Sequence, residues 1–193
     1  MSARRGLVSA GIAVVALVGA WAVTETAPSA HDWLDPIPVT AAFGEEAVGR
    51  NLAATVHDAT AAETVIDQDG AEIETGGVWV VVDASARAVI SERAVNLGGT
   101  RLVVDGVEYS PTDRVDRSTT LAGRPLSIGV DLRGPLVFEL PAVPDEAELR
   151  LGRGVGAGPV DLRGDSVLVV PIDLEGREPE ASVTLPTPAL ESE

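Results

Sequence analysis

The segment Val78–Val89 reads VWVVVDASARAV, with Val78, Val80, Val82, Ala84, Ala86 and Ala88 in one phase and Trp79, Val81, Asp83, Ser85 and Arg87 in the other. Successive side chains leave an extended strand on opposite sides, so this period of two is a strand signature. One phase is wholly apolar and the other turns polar after Val81. The segment therefore predicts an antiparallel strand with one face on a core and one largely solvated. The small alanines at its far end leave room for larger side chains from an opposing sheet.

The same period recurs along the chain. Asn51–Asp58 sets Leu52, Ala54 and Val56 against Ala53, Thr55 and His57. Ala59–Ile66 is open between a strand and a helical turn, since alanine favours helix and Thr64-Val65-Ile66 favours strand. Asp67–Gly77 reads as an acidic turn region and Ser91–Gly99 as a loop. Asp105-Gly106 suits the positive-φ positions of a tight hairpin between two short strands. Pro111–Gly123 is polar and hydroxyl-rich, hence a loop. Leu126, Ile128, Val130 and Leu132 alternate as a half-buried strand that Gly134-Pro135 breaks; Leu136–Leu140 resumes it. Ala147, Leu149 and Leu151 mark another strand, and Gly152–Gly158 a flexible loop. In Val167–Leu174 the missing donor of Pro171 predicts an edge or a bulge. Seven or eight short strands with closely spaced turn signals predict an all-β antiparallel sandwich over residues 46–174. Residues 24–45 read as a linker. Residues 175–193, rich in glutamate and proline, read as a disordered acidic tail.

Gly6–Val23 contains no charge and is long enough as a helix for roughly 27 Å of bilayer. Arg4 and Arg5 precede it and acidic residues follow, which predicts residues 1–5 in the cytoplasm and the domain outside. Two readings stay open: a retained transmembrane anchor over 6–23, or a signal peptide cleaved near Ala20-Trp21-Ala22, giving a secreted protein. Either way the chain is exported. It has no cysteine, hence no disulfide, thiolate metal site or lipid-bearing cysteine. After Val23 it carries 12 arginines against 30 acids, a balance that opposes nucleic acid and anionic lipid.

Gly77-Val78-Trp79-Val80-Val81-Val82-Asp83 resembles the central-strand signature of an immunoglobulin-like (telokin-like) family of unknown function. Its members are exported or membrane-anchored proteins of Gram-positive bacteria, related in fold to a secreted mycobacterial immunoprotective antigen. Asp105-Gly106 with Tyr109, Leu121-Ala122-Gly123, Val137-Phe138-Glu139-Leu140-Pro141 and Glu148-Leu149-Arg150-Leu151 follow in the family's order. The resemblance spans about Leu52 to Ile172. It implies an immunoglobulin-like sandwich outside the membrane and carries over no catalytic residue.

Chemistry is sparse. His31 and His57 are the two histidines, and no Gly-x-Ser-x-Gly elbow accompanies them. Gly152–Gly158 lacks the Gly-Lys-Ser/Thr ending of a phosphate loop. Asp67, Asp69 and Glu72 form the best metal candidate, because a D-x-D-G turn offers hard oxygens to calcium at short range. No enzyme activity and no other cofactor is expected. The leading expectation is a membrane-anchored interaction module whose partner is another envelope or membrane protein. Loops 91–99, 111–123 and 152–158 would supply its contact surface. A calcium-dependent surface module is the alternative.

Overall fold

Two long strands, β3 (Leu52–Ile66) and β4 (Glu72–Ala88), pair antiparallel and anchor the fold. The structure is a computed structural model that describes Trp21 and residues 36–91, 95–152 and 166–191. Residues 36–193 form one compact unit and residues 1–35 another. Of the latter Trp21 alone is described, helical and exposed, so the stretch Gly6–Val23 otherwise lies outside the described residues. Among the described residues no helix is long and apolar enough to cross a membrane.

The remaining strands are β1 (Ile37–Thr40), β2 (Ala47–Val48), β5 (Arg101–Val104), β6 (Val107–Tyr109), β7 (Leu132–Leu140), β8 (Glu146–Leu151), β9 (Ser166–Asp173), β10 (Glu180–Thr184) and β11 (Ala189–Leu190). One sheet runs β1-β9-β8-β5-β6. The other runs β10-β3-β4-β7-β11, with β2 beside β3. They face each other as a sandwich. Val80, Val82, Leu136 and Phe138 of one sheet meet Leu102, Leu149, Leu168 and Val170 of the other in one buried cluster. Asp105 (φ 50°) and Gly106 (φ 79°) make the tight turn between β5 and β6 that their sequence predicts.

The structure corrects several expectations. Ala59–Ile66 is strand, continuous with Leu52–Asp58. The turn after it spans only Asp67–Ala71, and β4 starts at Glu72. Ile128 and Val130 lie in an exposed turn around Gly129 (φ 67°), not in a half-buried strand. Gly134-Pro135 does not break β7, where both residues pair with β4. The Val137 carbonyl accepts from Thr112 on the side away from β4. Strand groups two residues apart point the same way, so the nitrogen of Pro135 also faces out and β4 loses no bond.

The same parity explains Pro38 and Pro171. The Ala41 amide donates to the Val169 carbonyl where β1 lies parallel to β9. Odd residues of β1 therefore face β9, and Pro38 turns its nitrogen to the open edge. Pro171 faces the β1 side, but β1 has already ended, so the inner strand β9 is locally an edge there. Residues 37–40, placed in the linker from sequence, are thus part of the sheet.

The outer phase of β4 is not largely solvated. Trp79 and Val81 are buried in a second cluster with Val65, Val115, Val137 and Leu185. Two segments read as loop and disordered tail cover it. Val115 comes from Pro111–Gly123. Leu185 comes from the C-terminal segment, whose β10 pairs parallel with β3 and whose β11 pairs antiparallel with β7. These strands sit at opposite ends of the sheet order, so residues 185–188 cross the sheet's outer face.

Candidate functional site

The acidic turn is held by its own backbone. Asp67 Oδ1 accepts from the amides of Asp69 and Ala71, both at 2.9 Å, and the Asp67 carbonyl accepts from Gly70 at 3.1 Å. Gly70 has φ 83°, which suits glycine. The Asp67 carboxylate thus closes the turn between β3 and β4. Glu72 is exposed at the start of β4, paired with Ile66. Among the described residues no group of three or more Asp, Glu or His side chains is placed to hold a metal ion.

His57 occupies a β-bulge. Val56 pairs with Ala84 and Asp58 with Asp83, which leaves His57 as the extra residue. Its Nε2 lies 2.8 Å from Ser85 Oγ and 3.8 Å from Glu191 Oε1. This brings a serine, a histidine and an acid together, a juxtaposition absent from the sequence reading because Glu191 was assigned to a disordered tail. A nucleophilic triad requires serine and acid on different ring nitrogens. Here both meet Nε2, so the geometry does not relay a proton from Ser85. His31 lies outside the described residues.

Around His57 the outer face is a ladder of paired charges. Arg133 places Nε at 2.9 Å and Nη2 at 2.6 Å from Asp83 Oδ2, with Nη1 3.6 Å from Glu191. Arg87 Nη1 lies 3.1 Å from both oxygens of Asp131 and also pairs with Glu46. Hydrogen bonds to Asp83 hold the Arg133 guanidinium above its ordinary value, and those to Glu46 and Asp131 do the same for Arg87. These side chains keep a quarter to nearly half of their surface in water, so each pair is worth at most about 1 kcal/mol. Both guanidinium groups are thus already paired with carboxylates of this chain.

Trp79 and Arg114 are engaged likewise. Trp79 Nε1 donates to the Ile73 carbonyl at 2.9 Å, and the Arg114 guanidinium sits 5.2 Å from the ring centroid. Arg114 also bonds Glu139 Oε1 at 2.8 Å and the Glu74 carbonyl at 2.6 Å.

Of the three loops expected to form a contact surface, Ser91, residues 95–99, residues 111–123 and Gly152 are among the described residues. The Gly99 amide donates to the Gly152 carbonyl at 3.2 Å, joining the ends of 91–99 and 152–158. Residues 153–165 lie outside the described residues. In Pro111–Gly123 the Thr112 amide donates to the Val137 carbonyl and the Thr119 carbonyl accepts from Gln68 Nε2 at 3.1 Å, while just beyond it the Leu126 amide donates to the Val95 carbonyl at 3.0 Å.

Two surfaces escaped the sequence reading. At the Ala88 end of the second sheet, Val89, Ile90, Ile128 and Val130 are exposed; Ile90 reaches 65%. Backbone bonds hold this end: the Ala88 amide to the Ser127 carbonyl, Gly129 to Ala88, and Asn51 Oδ1 accepting from Ile90 and Ser91. Ile128 and Val130 looked like core because they alternate; Gly129 was the signal of a turn. On the outer face of the first sheet lies an open groove of about 1040 Å³, lined by Phe43, Glu148, Arg150, Pro171, Arg177 and others. Both arginines are engaged, Arg150 with Glu148 and Arg177 with the Ala59 carbonyl.

No protein-family model and no curated protein matches the chain. Three solved structures are similar to it in fold. A lipoprotein candidate from Staphylococcus aureus subsp. aureus NCTC 8325 aligns at 9% identity and TM-score 0.44, over 74% of this chain and 97% of that one. Another, from Bacillus subtilis strain 168, aligns at 14% identity and TM-score 0.45, over 66% of this chain and 38% of that one. An uncharacterized β-sandwich protein from Clostridium difficile 630 aligns at 12% identity and TM-score 0.41, over 72% and 97%.

Proposed function

We propose that the chain is an extracytoplasmic β-sandwich module of the cell envelope that works by protein contact. It is held at the membrane by Gly6–Val23 and presents its Ala88 end to another envelope or membrane protein. The observation that carries this reading is the set of exposed apolar side chains Val89, Ile90, Ile128 and Val130 on a hydrogen-bonded, positioned backbone. Exposed apolar clusters on a fixed surface favour a protein partner, whereas single ones need none. The uncharged stretch after Arg4 and Arg5 supports the compartment. Protein contact is favoured over catalysis because the Ser85–His57–Glu191 cluster places both partners on one nitrogen. An immunoglobulin-like assignment within the sandwich class rests on the Gly77–Asp83 signature and remains part of the proposal.

The test is crosslinking of the full-length chain in its native membrane, followed by purification and mass spectrometry. Peptides covering Leu7–Val23 are expected in the membrane fraction together with a reproducible envelope partner. The double variant Ile90→Glu/Ile128→Glu is expected to lose that partner with little change in melting, since both side chains face water. An unchanged set of partners would refute the contact surface. A mature N-terminus at Val23 in the medium would refute the anchor.

A further inference from the structure

Between Glu175 and Glu191 a single residue, Leu185, is buried. Val183 packs half-buried against the same cluster, and everything else that holds this segment is backbone pairing and contacts at its far end. Glu180, Ser182, Val183 and Thr184 pair with Ala62–Ile66, the Leu185 amide donates to the Ile66 carbonyl, and Ala189-Leu190 pairs with Arg133-Leu132. Leu185 enters the cluster formed by Trp79, Val81 and Val137, and Pro188 lies against Gly134. One buried apolar anchor with a half-buried neighbour, added strand pairing and a terminal ion pair to Arg133 are how a sheet binds a separate extended peptide. We infer that residues 180–191 are an exchangeable strand, and that the groove they fill accepts the same residues of a second copy of this chain.

The occupant follows from the contacts. A second copy carries an identical segment, so exchange reproduces every contact of the groove and changes only the connection. That connection is short. Leu174 is buried and its amide donates to the Asp145 carbonyl, while Arg177 Nη1 donates to the Ala59 carbonyl. Residues up to Arg177 thus stay with their own sandwich, and Glu178-Pro179 alone must redirect the chain. Short hinges invite exchange between copies when they come under strain, and two residues leave this connection little slack. The sheet edges tell the same story: without the segment, β3 and β7 would each expose unpaired backbone where β10 and β11 now bind.

The chain has no cysteine, which gives a clean test. A Cβ built on Gly134 lies 3.0 Å from Pro188 Cβ, so a small shift of the segment brings the two sites to disulfide distance. The full-length double variant Gly134→Cys/Pro188→Cys is expected to close within one chain and run as a monomer on a non-reducing gel. Two differently tagged full-length chains, one Gly134→Cys and the other Pro188→Cys, are then co-expressed. They are expected to form a covalent dimer at least about tenfold above either variant alone, with the 134–188 linked peptide identified by mass spectrometry. If the double variant closes but the mixed chains stay monomeric, the segment does not exchange and the inference fails. If the double variant does not close, the segment does not occupy this groove, and the inference fails with it. Neither outcome bears on the envelope reading, which rests on the exposed side chains of Val89, Ile90, Ile128 and Val130 and not on this groove.

Discussion

Replacing Leu185 by alanine separates a structural segment from an acidic tail more sharply than any other single change. Leu185 is 3% exposed against Trp79, Val81 and Val137, whereas Leu190, five residues on, is 68% exposed. Leucine-to-alanine changes in rigid cores cost about 2.7–5 kcal/mol, more where the cavity cannot collapse. Here one wall belongs to the central strands β4 and β7 and cannot move inward. The other wall is the C-terminal segment itself, which can settle into part of the space. The cost should therefore fall at the low end, about 2–3 kcal/mol. For a chain of this size 1 kcal/mol moves Tm by about 2–4 °C, which gives a fall of roughly 5–10 °C. Leu190→Ala, at an exposed site, should stay within about 0.5 kcal/mol and shift Tm by less than about 2 °C. Thermal melts of the full-length chain followed by far-ultraviolet circular dichroism measure both. Equal shifts in the two variants would mean that Leu185 is not an anchor, and the covered outer face would be wrong.

Three further expectations rest on other parts of the molecule. A Cβ on Gly77 would lie 2.0 Å from the Leu140 carbonyl oxygen while one on Gly76 meets nothing within 4 Å. Gly77→Ala should then cost about 3 kcal/mol, and Gly76→Ala should be neutral or gain up to about 1 kcal/mol in urea denaturation. Asp67→Ala should lower stability by about 1 kcal/mol because two amides lose their acceptor, yet millimolar calcium should move the wild-type Tm by less than about 1 °C; a clear calcium-dependent rise would favour the metal reading instead. Asp116 accepts from the Ser118 amide at 2.8 Å, a bond that holds its carboxyl below the usual value. Its contribution is therefore present above the ordinary carboxylate range and fades as pH falls through the depressed value. The melting difference between wild type and Asp116→Ala should shrink on acidification, and a difference that grows instead would contradict this.

Strand positions with a one-sided pattern were legible because burial and period agree. Leu136, Phe138 and Leu140, and Ala147, Leu149 and Leu151, lie in the core as their alternation implies. The Asp105-Gly106 turn was legible because few residues accept positive φ. Gly134-Pro135 was not, because what decides its place is that the Pro135 nitrogen faces away from β4, a property of the sheet rather than of the dipeptide. Ile128 and Val130 alternate like core residues, but the chain turns at Gly129, so they form only isolated bridges, to Ala88 and Ser127, and stay exposed. The cluster of His57, Ser85 and Glu191 joins three distant segments, one of them through a bulge that changes phase by a single residue. No local spacing encodes that.

The outer phase of β4 nevertheless records how far its cover extends. Trp79 and Val81 are apolar, and there the loop around Val115 and the segment around Leu185 lie across the sheet. At Asp83, Ser85 and Arg87 the same phase becomes polar, and the partners change to Arg133, His57 and Asp131. The neighbouring strand β7 divides at the same level, with Val137 under the cover and Arg133 beyond it. An apolar pair on the outer phase of a strand whose inner phase is already core thus requires a cover from elsewhere in the chain. Candidates for that cover are apolar residues isolated in polar surroundings, where they have no local face to join. Val115 and Leu185 both fit: each stands in a segment whose composition reads as loop or tail, and each is buried. Composition averaged over such a segment suppresses the one residue that fixes it, while the partner strand, read for what its second phase lacks, points to it.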